Sequence, residues 1–194
     1  MHLSEINSNP IANAWKLRFS SLSESKKQKI NELDNMQIHE YQLKVIKKKR
    51  IYPEVGDIFQ IKPTENITYY GIVINNHVTN KNGEDLIVVV IFDDDENVHA
   101  KLSRKIMCSD LLVPPCIVGK EYWSHGYFYT VDHYEDKIDI DSFGFYNIKD
   151  GFFYDEYNKN KFQTEPNIIS MGGVYTISGV AYEINKELII KKQD

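Results

Sequence analysis

Apolar positions along this chain concentrate between residues 56 and 95. Gly56-Asp-Ile-Phe-Gln-Ile-Lys opens the stretch, Ile67-Thr-Tyr-Tyr-Gly-Ile-Val-Ile-Asn follows, and Leu86-Ile-Val-Val-Val-Ile-Phe comes last, before Asp93-Asp94-Asp95-Glu96. Val, Ile, Tyr and Phe suit a pleated, half-buried surface, and the Asn, Gly, Pro and Asp between the runs mark turns, so the three runs predict a meander. The third run has no polar alternation, which predicts a strand covered on both faces and a surface for the N-terminal helices. Gly71 inside the second run predicts a bulge or a close backbone approach, the means by which a sheet bends toward a barrel. Asn75–Glu84 reads as a long hairpin loop.

Upstream, Pro10 sits where a first helical turn tolerates it, and Ile11, Ala14, Trp15, Leu17 and Phe19 give a short helix its apolar stripe. Ile30, Leu33, Gln37, Tyr41 and Val45 recur at spacings of three and four, predicting a longer helix over Lys26–Lys49 capped by Ser23 or Ser25, although Met36-Gln37-Ile38 also permits a strand. Downstream, residues 97–110 read as a short helix or an irregular crossing, and Pro114-Pro115 disturbs regular pairing. Phe143–Ile148 and Gly151–Tyr154, split by Lys149-Asp150-Gly151, predict a hairpin. Met171-Gly172-Gly173 predicts a turn, and Val180–Ile184 with Glu187–Lys191 a closing hairpin split by Asn185-Lys186. Strands arriving in succession after helices argue for α+β, with N-terminal helices packed on a mostly antiparallel, strongly bent or barrel-like meander. Residues 1–50 form the helical segment and 51–194 one β-rich unit, with a candidate sub-boundary near 132–140.

Charge changes this picture more than bulk composition does. Residues 1–50 carry 10 Lys/Arg against 5 Asp/Glu, and residues 51–194 carry 13 against 23, so a +5 segment precedes a −10 body. An acidic body opposes a phosphate backbone, which argues against nucleic acid and for a basic protein partner. Lys47-Lys48-Lys49-Arg50 reads as a nucleic-acid or membrane patch or as cations favoured at a helix C-terminus; the acidic body favours the second reading. The N-terminus lacks the charged and apolar regions of a signal peptide and no run is apolar for the roughly 18 residues a membrane span needs, so a cytoplasmic protein with no membrane partner is expected.

No catalytic or metal site is expected. Cys108 and Cys116 have neither zinc nor redox spacing and read as ordinary reduced thiols. With Asp93 as the first position of a calcium loop, Asp95 and Asn97 fall on ligand positions, but Val98 stands where the turn needs Gly and Arg104 where a bidentate Glu belongs. The tail half is rich in carboxylates (Asp132, Glu135, Asp136, Asp139, Asp141, Asp150, Asp155, Glu156), which leaves a small carboxylate hydrolase, or one using His125, as a minor alternative. No cofactor is implied.

Glu121-Tyr122-Trp123-Ser124-His125-Gly126-Tyr127-Phe128 is the densest aromatic run. Trp123 and Phe128 read as core; for Tyr122 and Tyr127 core packing and partner contact both stand, and the contact reading is carried forward. Together with Gly56-Asp57-Ile58-Phe59, Tyr70-Gly71-Ile72-Val73, Phe92-Asp93 and Pro114-Pro115, this run resembles the immunity protein 26 family of bacterial polymorphic toxin systems over about residues 47–131. The resemblance implies a small cytosolic protein that binds and neutralises a toxin domain without a cofactor or turnover. The partner-binding residues expected are Asp93, Asp94 and Asp95 at an acidic strand end, with Tyr122 and Tyr127 beside them. A non-catalytic β-barrel module with another protein target is the alternative.

Overall fold

The computed structural model describes residues 9–79, 83–93 and 98–192. The predicted three-strand meander, β1 (Asp57–Thr64), β2 (Ile67–Thr79) and β3 (Asp85–Phe92), is the centre of the larger of two sheets, and two strands the sequence pattern did not reveal, β4 (Leu111–Gly119) and β5 (Tyr129–His133), extend it to the order β4-β3-β2-β1-β5, every pair antiparallel. The sheet is bent but open, with β4 and β5 as its edges. Every residue of β3 after Asp85 is buried, as its unbroken apolar run predicts. Pro114 and Pro115 sit on the edge strand β4, where missing N–H groups are tolerated, and the register slips there between Val89↔Cys116 and Ile91↔Val113. Gly71 marks a close approach: a Cβ on it would lie 2.4 Å from the Phe59 ring and 2.5 Å from the Val90 carbonyl oxygen. The stretch read as a loop from Asn75 belongs to β2 as far as Thr79, and the strand accommodates this through register shifts between Val73 and Val78.

A second, smaller sheet has the order β7-β6-β8. Strands β6 (Phe143–Asn147) and β7 (Phe152–Tyr154) form the predicted hairpin, with Gly151 at φ 77°. Strand β8 (Ile168–Met171), which the sequence pattern did not reveal, runs parallel to β6.

Helices α1 (Pro10–Ser20) and α2 (Glu24–Asn35) start at Asn9 and Ser23, whose side chains accept from backbone N–H groups of the first turn. The single helix expected over Lys26–Lys49 is not formed. It ends at Asn35 because the apolar stripe fails where Gln37 follows Leu33, and the Gln37 N–H bonds the Glu40 carboxylate 2.6 Å away to start the one-turn helix α3 (Ile38–Tyr41). Residues 42–56 are neither helix nor strand. Two further short helices are α4 (Val98–Leu102), in the stretch left open between helix and crossing, and α5 (Glu121–Ser124).

The closing hairpin is also corrected. Ile177–Lys191 is one helix, α6, capped by Thr176, and it buries Val180, Ala181, Ile184 and Glu187. That spacing follows a 3.6-residue period, which short apolar runs had disguised as two strands. Helix α6, rather than the N-terminal helices, covers the sheet: Val180, Ala181 and Ile184 pack with Phe59, Val73, Val89, Ile91 and Val118. The N-terminal helices pack on α6 in turn, through the Arg18–Glu187 pair, the Tyr182 hydroxyl on Asp34, and Asn185 on the Tyr41 carbonyl. On the opposite face Ile58, Ile72, Val90 and Phe92 pack with Val98, Leu102, Ile106 and Ile168.

Val89 tests this arrangement, being 0% exposed and paired to both β2 and β4. Val89→Asp strands an unpaired charge whose cost, several kcal/mol, rivals the roughly 5–15 kcal/mol that holds a domain folded. Soluble yield and circular dichroism are expected to show loss of folded protein; wild-type values for both would contradict a doubly covered strand.

Candidate functional site

The aromatic run is a plug set into the sheet face that α6 leaves uncovered. After Gly119 the chain makes the single turn α5 and drops Tyr122 and Trp123 onto β1. Phe59 and Phe128 stack with centroids 4.5 Å apart, Trp123 meets both rings edge-on at 5.4 and 5.1 Å, and the Trp123 Nε1 donates to Thr130 Oγ1 at 3.1 Å. Tyr122 belongs to this plug. It is fully buried, its hydroxyl donates to the Thr176 carbonyl at the start of α6, and burial pushes its phenol far above the ordinary range. The expected partner contact through Tyr122 is therefore corrected to a core role: a one-turn helix turns consecutive residues Tyr122 and Trp123 both inward.

Tyr127 stays half-buried at the rim, packed on the core from outside and edge-on to the exposed His125 ring. Asp93 is also partly exposed, ion-paired to Lys191 at the end of α6. Asp94 and Asp95, and the rest of the acidic run with them, lie outside the described residues. The ladder runs Gly71↔Ile91, Ile61↔Tyr69 and Gln60↔Tyr129, which brings Asp93 and Tyr127 to the same end of the sheet. Three strand spacings, roughly 14 Å, separate the strands that carry them.

The sequence reading missed the segment that crosses the plug. Residues 42–50 form an extended strap tied by the Lys44 N–H to the Lys62 carbonyl (2.7 Å), the Ile46 N–H to the Gly126 carbonyl (2.8 Å) and the Lys49 N–H to the Trp123 carbonyl (3.2 Å). Gly126, at φ 85°, lets the strap lie this close: a Cβ there would come within 2.8 Å of the Lys47 and Lys48 backbone. Lys47, Lys48, Lys49 and Arg50 are all exposed, with the Lys47 ammonium 5.6 Å from the Tyr129 ring centroid. Their assignment to a helix C-terminus is corrected, since the preceding helix ends at Tyr41. The signal for the strap was the β-branched pair Val45-Ile46 beside a buried Leu43, masked by a helical spacing that fitted as well.

The carboxylates of the tail half are drawn into pairs and turns. Asp141 binds Lys105 and Asn167, Asp150 accepts from Tyr154, and Asp155 accepts from Asn160. Cys116 donates its thiol to the Pro114 carbonyl, and burial pushes its pKa up, the opposite of nucleophile activation. At the far end of the sheet His133 Nδ1 lies 3.0 Å from Asp57 Oδ1 and His99 Nε2 2.8 Å from Asp132 Oδ2. His133 also lines a cleft of about 320 Å³ with Val55, Gly56, Ile74, Tyr134 and Glu135. Among the described residues no three His, Cys, Asp or Glu side chains gather as metal ligands would.

Two measurements test this geometry. Gly126→Ala forces a strained backbone and a clash with the strap, and calorimetry is expected to show a loss of about 1–3 kcal/mol; an unchanged midpoint would mean the strap does not press on that turn. The hydrogen bond to Asp57 raises the His133 pKa above its ordinary 6.5. Its contribution is then complete below pH 6.5 and lost as pH rises through the folded value. An NMR titration is expected to place His133 above 6.5, and Asp57→Asn to bring it back down; no change on that substitution would remove Asp57 as the cause.

A family model described as immunity protein 26 matches residues 54–163. The match starts later and runs further than the resemblance over about 47–131, taking in the whole five-stranded sheet and the β6–β7 hairpin and leaving out the strap and α6. No curated protein and no solved structure matches the chain. Spanning more than half of the 194 residues, the match shows that the chain belongs to the immunity protein 26 family.

Proposed function

We propose that this protein binds a cognate bacterial toxin domain in the cytoplasm and neutralises it by occupying its surface, without turnover. Family membership carries the reading. A protein that acts this way needs a rigid, charged surface in place of a reactive pocket, and we place that surface at the end of the sheet bearing Asp93 and Tyr127. Asp93, with Asp94 and Asp95 after it, would face a cationic toxin, and Tyr127 would provide the apolar contact. A toxin domain that handles nucleic acid must carry Lys and Arg, so an acidic inhibitor gains both steering and complementarity by covering them. Lys191 already holds Asp93 and neutralises part of its charge, which leaves the following residues a larger share.

Co-expression with the toxin domain it is proposed to bind is expected to restore growth; a cell that still dies, with the protein soluble and folded, would overturn the reading. The two parts of the surface separate kinetically. Changing Asp93, Asp94 and Asp95 together to Lys is expected to slow association roughly 10-fold at low salt and less at high salt, since charges at a rim act on encounter. Tyr127→Ala is expected instead to speed dissociation by the equivalent of about 1–2 kcal/mol, as for a desolvated anchor. Surface plasmon resonance at two salt concentrations reads both, and an unchanged association rate for the Lys variant would move the interface elsewhere.

A further inference from the structure

The strap carries the longest run of consecutive cations in the chain, and its own fold engages little of their charge. Among the described residues, Lys47, Lys48, Lys49 and Arg50 enter no ion pair; Lys44, Lys62 and Lys120 are also without one, but only in the strap do four cations follow one another along the chain. Cations this close together repel one another, and of the four only Lys47 has a contact that uses its charge, over the Tyr129 ring. The backbone that carries them is nevertheless held in place by three hydrogen bonds and by contact with Gly126. A partner would meet a prearranged row of charge and would lose little chain entropy in ordering it. Apolar and aromatic groups border that row: Val45 is 54% exposed, His125 is exposed, and Tyr127 is half-buried beside the Gly126 turn that the strap crosses.

We infer that the strap and the aromatic turn beneath it seat an acidic segment of the partner protein. This inference rests on the toxin-binding reading and adds a second, oppositely charged half to its interface. Lys44 is bonded to Lys62 near the C-terminal end of β1, the end of the sheet to which Asp93 and Tyr127 also come. The surface then carries the Asp93 carboxylate, paired to Lys191, at the β3 end and four cations along the strap, with Tyr127 on the strap side. Two signs on one surface admit a partner in one orientation only, which a single acidic patch does not achieve.

The observations favour a protein segment over a nucleic acid. Four cations on an extended chain span only about 10 Å, close to one screening length in physiological salt, so their pull is local. A phosphate backbone long enough to gain from counterion release would run on over a body of net charge −10, counted as 13 Lys/Arg against 23 Asp/Glu in residues 51–194. A short acidic segment ends before it reaches that body.

The test uses the full chain, isotope-labelled, with two probes at low salt: a deca-glutamate peptide and a ten-residue thymidine oligonucleotide. The peptide is expected to shift amide resonances of residues 44–50 and 125–129, and to bind roughly 10-fold more weakly when Lys47, Lys48, Lys49 and Arg50 are all changed to Glu. A second variant with Gln at the four positions keeps the strap's size while removing its charge, so a folding defect in the first leaves the question decidable. No shift along the strap, equal binding by the variants, or tighter binding of the oligonucleotide would overturn the inference. The same variants are then compared against the toxin domain. Wild-type protection combined with unchanged variant association would sink the strap alone. Failure of the wild type to protect would sink the toxin reading, while the peptide shifts still decide what the strap holds.

Discussion

Seven consecutive buried residues, Leu86 to Phe92, impose the condition that the rest of the chain satisfies. Fully burying each Val, Leu, Ile or Phe side chain stabilises by about 1.5–3 kcal/mol, and alternate residues of a strand point to opposite faces. The run therefore forces two layers, one on each side of the sheet. Ile87, Val89 and Ile91 look toward α6, whereas Val90 and Phe92 look toward α4 and β8. No single appended helix satisfies both demands. The last helix in sequence and the small second sheet both come to lie on the meander because an all-apolar interior strand leaves no face free for water.

Helix α6 is too narrow to cover its face of a five-stranded sheet. The half toward β5 is filled instead by Tyr122, Trp123 and Phe128 around Phe59, and the strap closes over them. Packing thus determines where the candidate surface lies. Tyr127 is presented because its neighbours on both sides are anchored in the plug, and the strap's cations are presented because its backbone is bound to Trp123 and Gly126. The Tyr122 hydroxyl on the Thr176 carbonyl joins the plug to the start of α6, so the two covers of this face are one connected layer.

Legibility of the sequence followed how many structures a given pattern permits. The meander, the covered third strand and the β6–β7 hairpin were readable because period-two alternation, a run with no polar break and a Lys-Asp-Gly turn each admit few alternatives. Helix α6 was misread because Val-Ala-Tyr-Glu-Ile and Glu-Leu-Ile-Ile-Lys are short apolar runs that either period explains, and only Thr176 as a cap and burial at 180, 181, 184 and 187 decide between them. The strap was lost for the converse reason, since a helical spacing through Tyr41 and Val45 hid an extended chain whose backbone–backbone hydrogen bonds go to Lys62, Gly126 and Trp123, far away in sequence. Of the candidate surface, Tyr127 and Asp93 were visible as residue types. Tyr122 was not separable from Tyr127, because which side chain of an aromatic run turns inward depends on one turn of helix that composition does not encode.

The region that matches the family and the region that completes the fold do not coincide. Residues 54–163 hold all five strands of the large sheet, yet Leu43, Val180, Ala181 and Ile184, which cover Val73, Val89, Ile91 and Val118, lie outside it. A chain limited to the matched residues would expose a continuous apolar face of β2, β3 and β4, a surface that soluble proteins avoid. The flanking segments are therefore structural before they are anything else. The same segments carry the strap's cations and Lys191, the partner of Asp93, so the pieces that seal the core also set the sign of charge at one end of the sheet. Surface charge and core closure are coupled in this molecule through the backbone of residues 42–50: a substitution that loosens the strap from Gly126 would disturb the aromatic plug and the cationic row at once.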